Sequence, residues 1–336
     1  MILFKKSPWI LAGLLVILIL AVFVASLNTG VIRLSPMNTF NALLGKGSSE
    51  NELILFDFRM PRMVLSMCVG AGLAIAGAIF QSITRNDLAE PGLIGINAGA
   101  GVAVVLFIFL TGGVLEEVSG LSVFMLPLLA FLGAILTAGL IYLFAWKNGV
   151  TPLRLILVGV AMQAILSAVL IVLQLSMEDR DFNKALVWLM GSIYSANWGY
   201  VWSVLPWLLI LIPFAIYKSR YLNILHVGDA AAMGLGINVE RERKKLLIVA
   251  AALTGASVSA GGGIAFAGLV APHVARRLVG PKHERFLPIS ALIGALLLLF
   301  ADMIARTILM PSELPVGIVV SCIGAPYFLY LLMKSK

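Results

Sequence analysis

The sequence predicts an all-α polytopic membrane protein of about ten transmembrane helices. Three observations predict it. Of 336 residues, 61% are hydrophobic and only 12% are charged, and the mean hydropathy is +1.04. A soluble domain carries about a quarter charged residues, so lipid must cover much of this surface. Seven stretches, at 7–32, 63–84, 120–146, 155–177, 186–217, 246–272 and 314–333, contain no Asp, Glu, Lys or Arg. Each reaches the roughly 20 residues that a helix needs to cross the hydrocarbon. The apolar and polar alternation of a barrel strand is absent, which leaves helices.

The elements follow in order. Lys5 and Lys6 precede the first stretch, as in a secretory signal. The apolar run 8–27 exceeds the roughly 7–15 residues of a signal core, so a retained first helix is expected. A loop over 28–59 carries Asn, Ser, Gly and Pro turn residues. The 63–84 stretch is dense in small residues (Gly70, Gly72, Ala74, Ala76, Gly77, Ala78), and Gly95 and Gly99 form a GxxxG pair. Small residues let helix backbones approach closely in lipid, and that is the use expected of them. Charge-poor runs at 91–115 and 286–301 bring the count to nine or ten spans. Gly261-Gly262-Gly263 interrupts 246–272, which predicts one span followed by a short broken one. No soluble domain is expected, so residues 1–336 form one membrane domain. Its longest expected cytoplasmic loop is at about 218–245.

With a cytoplasmic N-terminus and ten alternating spans, 17 of the 24 Lys and Arg fall inside and 7 outside. That follows the positive-inside rule and places both termini in the cytoplasm. The net charge of +8 therefore reports topology and not a nucleic-acid partner. Cys68 and Cys322 lie in apolar runs, expected as small core hydrophobes without a disulfide framework. No GxxxxGK[ST], HExxH or GxSxG occurs, and His226, His273 and His283 lack metal-ligand spacing. No catalytic, cofactor or metal residue is assigned. Asp302 and Arg306 stand i, i+4 and can pair on one helix face. No chain of intramembrane acids suits a proton relay, which weighs against an ion-coupled secondary transporter, the distant alternative.

The informative segments sit where spans meet loops. Arg59-Met60-Pro61-Arg62 opens the second span on the predicted outer face. Its arginines suit either carboxylates of a partner or simple snorkelling anchors. Gln81–Gly95 is a polar turn on the predicted inner face. In the long inner loop, Asp229 is placed as the N-cap of a short helix ending at Gly234 or Gly236. Such a helix suits a soluble partner or a solvated loop equally.

Taken together, these segments resemble the permease subunits of ABC importers for iron-siderophores, heme and vitamin B12, the FecCD type. The elements run in order from about 54 to 330: R-x-P-R at 59–62, R-N-x-L-A-x-P at 85–91, G-D-x-x-A-x-x-L-G at 228–236, F-x-G-L-x-x-P-H at 266–273, A-D at 301–302, E-x-P-x-G at 313–317 and G-A-P-x-F at 324–328. Each is weak alone, and seven in register are specific. The chain departs from the pattern at Asp87, at Ala230 and across 280–285.

The resemblance implies a vitamin B12 importer permease-like, type II importer fold in a bacterial plasma membrane. It implies a dimer of permeases, a homodimer or a heterodimer, around a central path. It also implies two ATPase subunits beneath, which hold the ATP and Mg, and a binding protein that delivers substrate from above. Arg59, Arg62 and Arg306 match the family's docking arginines. Gly228, Asp229, Ala232, Gly234, Leu235 and Gly236 match its coupling segment. An iron-siderophore is the expected cargo, with vitamin B12 or heme as the alternative, and no sharp substrate pocket is expected.

Overall fold

A computed structural model describes residues 7–30, 35–92, 94–111, 122–147, 149–194 and 196–334. Lys5, Lys6, Arg33 and Lys336 of the charge count lie outside the described residues, as do 31–32 of the first run and 112–115 of the 91–115 run. The described chain is helical apart from its turns and one isolated bridge between Trp146 and Val150.

Among the described residues, eight helical runs are long and apolar enough to cross a bilayer. They are α1 (Pro8–Asn28), the run ending in α4 (Met60–Thr84), α6 (Ser122–Ala145), α7 (Pro152–Leu175), α9 (Trp198–Tyr217), α12 (Val239–Gly261), α14 (His283–Thr307) and α15 (Val316–Lys334). Two shorter helices pack among them. At a 1.5 Å rise, α5 (Ile96–Thr111) is about 24 Å long and α13 (Ala267–Val279) about 20 Å, short of the roughly 30 Å hydrocarbon. Short helices occupy the loops: α2 (Pro36–Leu43), α3 (Ser49–Leu53), α8 (Asp179–Leu189), α10 (Ser219–Val227) and α11 (Asp229–Gly234).

The expected break lies where the glycines stand. α12 stops at Gly261, and Gly262 turns the chain at φ +69, where a side chain would collide with the Trp188 carbonyl. Phe266, left-handed at φ 66, then starts α13. The uncharged run 186–217, expected as one span, is corrected. It holds the end of α8, a non-helical segment at Gly191 and the whole of α9. Gly191 sits at φ +78 directly beneath the Gly262 turn, so the two breaks pack on each other.

α4 and α12 form the buried centre, while α14, α13 and α9 pack on α4. The small residues of α4 make this contact. Gly70 meets the backbone of Gly294 in α14, and Gly77 meets that of Gly268 in α13. The Gly95/Gly99 pair does not share one interface. Gly99 faces Gly133 and Thr137 of α6, whereas Gly95 precedes α5 and faces Gly159 and Gln163 of α7. Trp9, Ile17, Leu157, Ile165, Leu209 and Ile210 are exposed on α1, α7 and α9. Apolar rims on that scale are stable only against lipid. Cys68 is half-buried and Cys322 exposed, so the second is not the core thiol expected.

The Gly70 crossing makes a direct prediction. A valine there would overlap the Gly294 carbonyl, which is backbone and cannot rotate away. Gly70→Val is expected to cost the upper end of the roughly 1–3 kcal/mol of an overpacked core. The melting temperature in detergent and the monodisperse yield report it, and a wild-type melting curve would contradict the crossing.

Candidate functional sites at the two ends of the bundle

At one end the three matched arginines converge. A π-helical turn at Ile54–Arg59 widens the backbone before α4, and Pro61 sits in the first turn of that helix, where its missing N–H costs nothing. Arg59 donates to the Leu27 carbonyl at the end of α1. Arg62, one turn further, donates through Nε to Asp302 Oδ1 at 2.7 Å and through Nη1 to Glu313 Oε2 at 2.6 Å. Arg306 lies 3.2 Å from Asp302 Oδ2, as the i, i+4 spacing predicted, and also donates to Ser26 Oγ. Asp302 is completely buried and bridges Arg62 and Arg306.

None of the three matched arginines lies open at the surface of the chain. Arg59, Arg62 and Arg306 are 6%, 7% and 5% exposed. Arg62 and Arg306 share Asp302 in an internal ion-pair network, and Arg59 donates to a main-chain carbonyl beside it, because a guanidinium at this depth is stable only when carboxylates and carbonyls surround it. Glu313 sits at the rim of the network, in the segment joining α14 to α15, with its side chain 19% exposed.

Beyond that rim an open recess of about 650 Å³ is lined by Met190, Gly263, Gly317, Ser321, Cys322 and Pro326 among others. Its walls are the paired breaks after α8 and α12 and the first half of α15. Gly317 allows α15 to start against the Met190 carbonyl and donates its N–H to Gly191 O at 2.9 Å. Gly324 likewise admits the Phe266 side chain, whose ring lies tilted against that of Phe328 with centroids 6.4 Å apart. These packing needs give E-x-P-x-G and G-A-P-x-F their glycines. The recess is mostly apolar, and it offers no cage of charged ligands.

At the opposite end α10 and α11 lie across the bundle. Asp229 is not the N-cap expected. Gly228, at φ 148, holds that position, and Asp229 is the first helical residue. Its carboxylate instead pairs with Arg85 and lies 2.8 Å from Arg243 Nη2. Arg85 closes α4 in a left-handed conformation and donates to Leu225 O at 3.1 Å. Arg243, on α12 and 2% exposed, also donates to the Val150 carbonyl. α10 is tied in turn to α14, since Asn223 donates to Glu284 and accepts from His283 N at 3.0 Å. The pair α10–α11 is thus bonded to three long helices.

Ala232 is fully buried and seats α11, so it positions the segment rather than touching a partner. Gly234 ends α11, and Gly236, at φ +76, turns the chain towards α12. Leu235 projects outward together with Val227 and Met233. These two exposed apolar residues and the buried Arg243 escaped the sequence reading. Only a Met and a Val within a charged loop hinted at them, and that pattern is common in solvated helices.

Between the ends, the turn after α4 is pinned to α13. Glu90 is buried, and its carboxyl accepts from the N–H groups of Phe266 and Gly268. The turn itself is closed by Asn86 Oδ1, which accepts from Leu88 N at 2.9 Å.

Known proteins resemble this chain in sequence and fold. Residues 17–334 match the model of the FecCD transport family. The iron(3+)-hydroxamate import system permease protein FhuG of Bacillus subtilis (strain 168) is 54% identical, over 98% of this chain and 98% of its own length. The iron-uptake system permease protein FeuC of the same organism is 43% identical, over 96% of this chain and 97% of its own length. A solved inward-facing structure of a metal-chelate type ABC transporter superposes with a TM-score of 0.83 at 30% identity, covering 98% of this chain and all of that one. With its motifs, its fold and nearly its whole length matched, the chain belongs to the FecCD transport family.

Proposed function

We propose that this chain is the permease subunit of an ATP-driven importer of ferric hydroxamate siderophores. The observation that carries the cargo class is the 54% identity to the hydroxamate permease along essentially both full lengths. In this reading the arginine end faces outward and receives a siderophore-binding protein. The α10–α11 end faces inward and seats on an ATPase, which holds the ATP and Mg. Three features support that assignment. Val227, Met233 and Leu235 expose an apolar patch on the α10–α11 segment, as a protein contact requires. The ion pairs of Asp229 join that patch to α4 and α12. The recess is open along α15, where a second permease subunit would complete a path.

Transport then needs no covalent chemistry in this chain. ATP binding closes the ATPase pair beneath α10–α11. The rigidly bonded segment carries that displacement into the long helices, and the path exchanges its outward opening for an inward one. An apolar recess without charged ligands holds a bulky chelate weakly, and weak contacts allow release.

Uptake of radiolabelled iron tests the cargo. Cells lacking the gene are expected to lose uptake from a ferric hydroxamate while keeping uptake from ferric citrate, and the restored gene should return it. Loss confined to citrate, heme or vitamin B12 would reassign the cargo. Transport that survives without any ATPase partner would overturn the importer reading itself.

A further inference from the structure

We propose that Glu313 is an internal stand-in for a carboxylate of the binding protein, and that its displacement from Arg62 passes the docking event to α15 and the recess wall. The inference rests on the reading that the arginine end receives the binding protein. It answers a difficulty in that reading, since Arg62 is already bonded and buried.

The two carboxylates on Arg62 are not equivalent. Asp302 is fully buried on α14 and is shared with Arg306. Glu313 is partly exposed, and it lies in the non-helical stretch between α14 and α15. The residues leading to it, Ile308, Leu309 and Met310, are exposed. An arriving carboxylate can therefore take the place of Glu313 without disturbing Asp302. One carboxylate replaces another on the same guanidinium, so no buried charge is left uncompensated during the exchange.

Glu313 is also placed to report the exchange. The next residue, Leu314, donates its N–H to Ala305 O at 3.1 Å, and α15 begins two residues later at Val316. Gly317 is hydrogen-bonded to Gly191 and packed on Met190, and both Gly317 and Met190 line the recess. Only three residues thus separate Glu313, at the rim of the arginine network, from Gly317 in the recess wall. Freeing the Glu313 side chain removes the ion pair that holds the start of α15 towards α4.

An internal competitor lowers apparent affinity, because the partner binds only the fraction of molecules in which Glu313 has let go. The test measures binding of the siderophore-binding protein of the same import system, loaded with ferric hydroxamate, to the complete transporter in nanodiscs. Glu313→Gln is expected to tighten binding on the order of tenfold, the fold-change of one charge-assisted hydrogen bond. It is also expected to raise ATPase activity in the absence of the binding protein and to shrink the stimulation that docking adds. A merely structural glutamate would give the opposite sign, so unchanged or weaker binding overturns the proposal. Should Glu313→Gln assemble poorly, Glu313→Asp keeps the charge and shortens the reach. It should tighten binding a few-fold, and unchanged or weaker binding again overturns the proposal. Arg59→Glu, run in parallel, separates the two levels. Undiminished binding there removes the docking site itself. Binding lost there but unmoved in Glu313→Gln removes only the role of Glu313.

Discussion

Arg62→Met is expected to destabilise the permease by about 3–5 kcal/mol, the loss typical of one partner removed from a buried ion pair. Asp302 has no exposed surface, and Arg62 Nε at 2.7 Å is its shorter partner. Arg306 stands at 3.2 Å and already serves Ser26 and Thr29, so it compensates only part of the charge. Glu313 loses its partner as well. Met fills the volume of the side-chain stem and returns none of these bonds. Arg62→Lys should recover only part of the loss, because one ammonium cannot reproduce the two-pronged geometry. Thermal melts in detergent report both variants. The double variant Arg62→Met/Asp302→Asn decides the cause, since it removes the uncompensated charge and should melt higher than Arg62→Met alone. A double variant that melts no higher would move the effect from charge to packing. Iron uptake should fall below detection in Arg62→Met whether or not the protein still assembles.

Asp229→Ala is expected to produce the opposite profile, with stability nearly kept and transport lost at least tenfold. The side chains of Arg85 and Asp229 are about one third exposed. Pairs so open to water are worth no more than about 1 kcal/mol. Arg243, although buried, keeps its bonds to Val150 and Glu240 when Asp229 is truncated. What disappears is the carboxylate that holds α11 simultaneously to the end of α4 and to α12. ATPase association in a pull-down and uptake in cells should both drop. Wild-type values in the two assays would remove α11 from the coupling segment. A large fall in melting temperature would instead make Asp229 a folding residue.

The membrane fold was legible in the sequence because lipid imposes a coarse demand. Twenty apolar residues without charge read as a span whatever their neighbours, and α1, α7, α9 and α15 appeared where the uncharged runs lie. The broken element was legible for a local reason also, since Gly262 can adopt a φ of +69 that other residues avoid. The run 186–217 misled because its break at Gly191 depends on packing beneath a second break 71 residues later in the chain, at Gly262. The GxxxG spacing misled for a related reason. Gly95 is not in the helix that Gly99 belongs to, so the two cannot share a face.

At the arginine end, residue types alone showed that Arg59 and Arg62 flank a span and that Asp302 and Arg306 are four apart. That Asp302 joins Arg62 across 240 positions, and Glu313 joins it across 251, became visible only in three dimensions. The same holds at the other end, where Asp229 looked like a helix cap and is an ion-pair partner of Arg85 and Arg243. Hydrophobicity and backbone preference act residue by residue along the chain, so the sequence settled the membrane, the helices and the family. Which buried charges pair, and which glycines touch, follows from contacts between distant segments. Such contacts are specified jointly by many side chains, and only the tertiary structure could decide them.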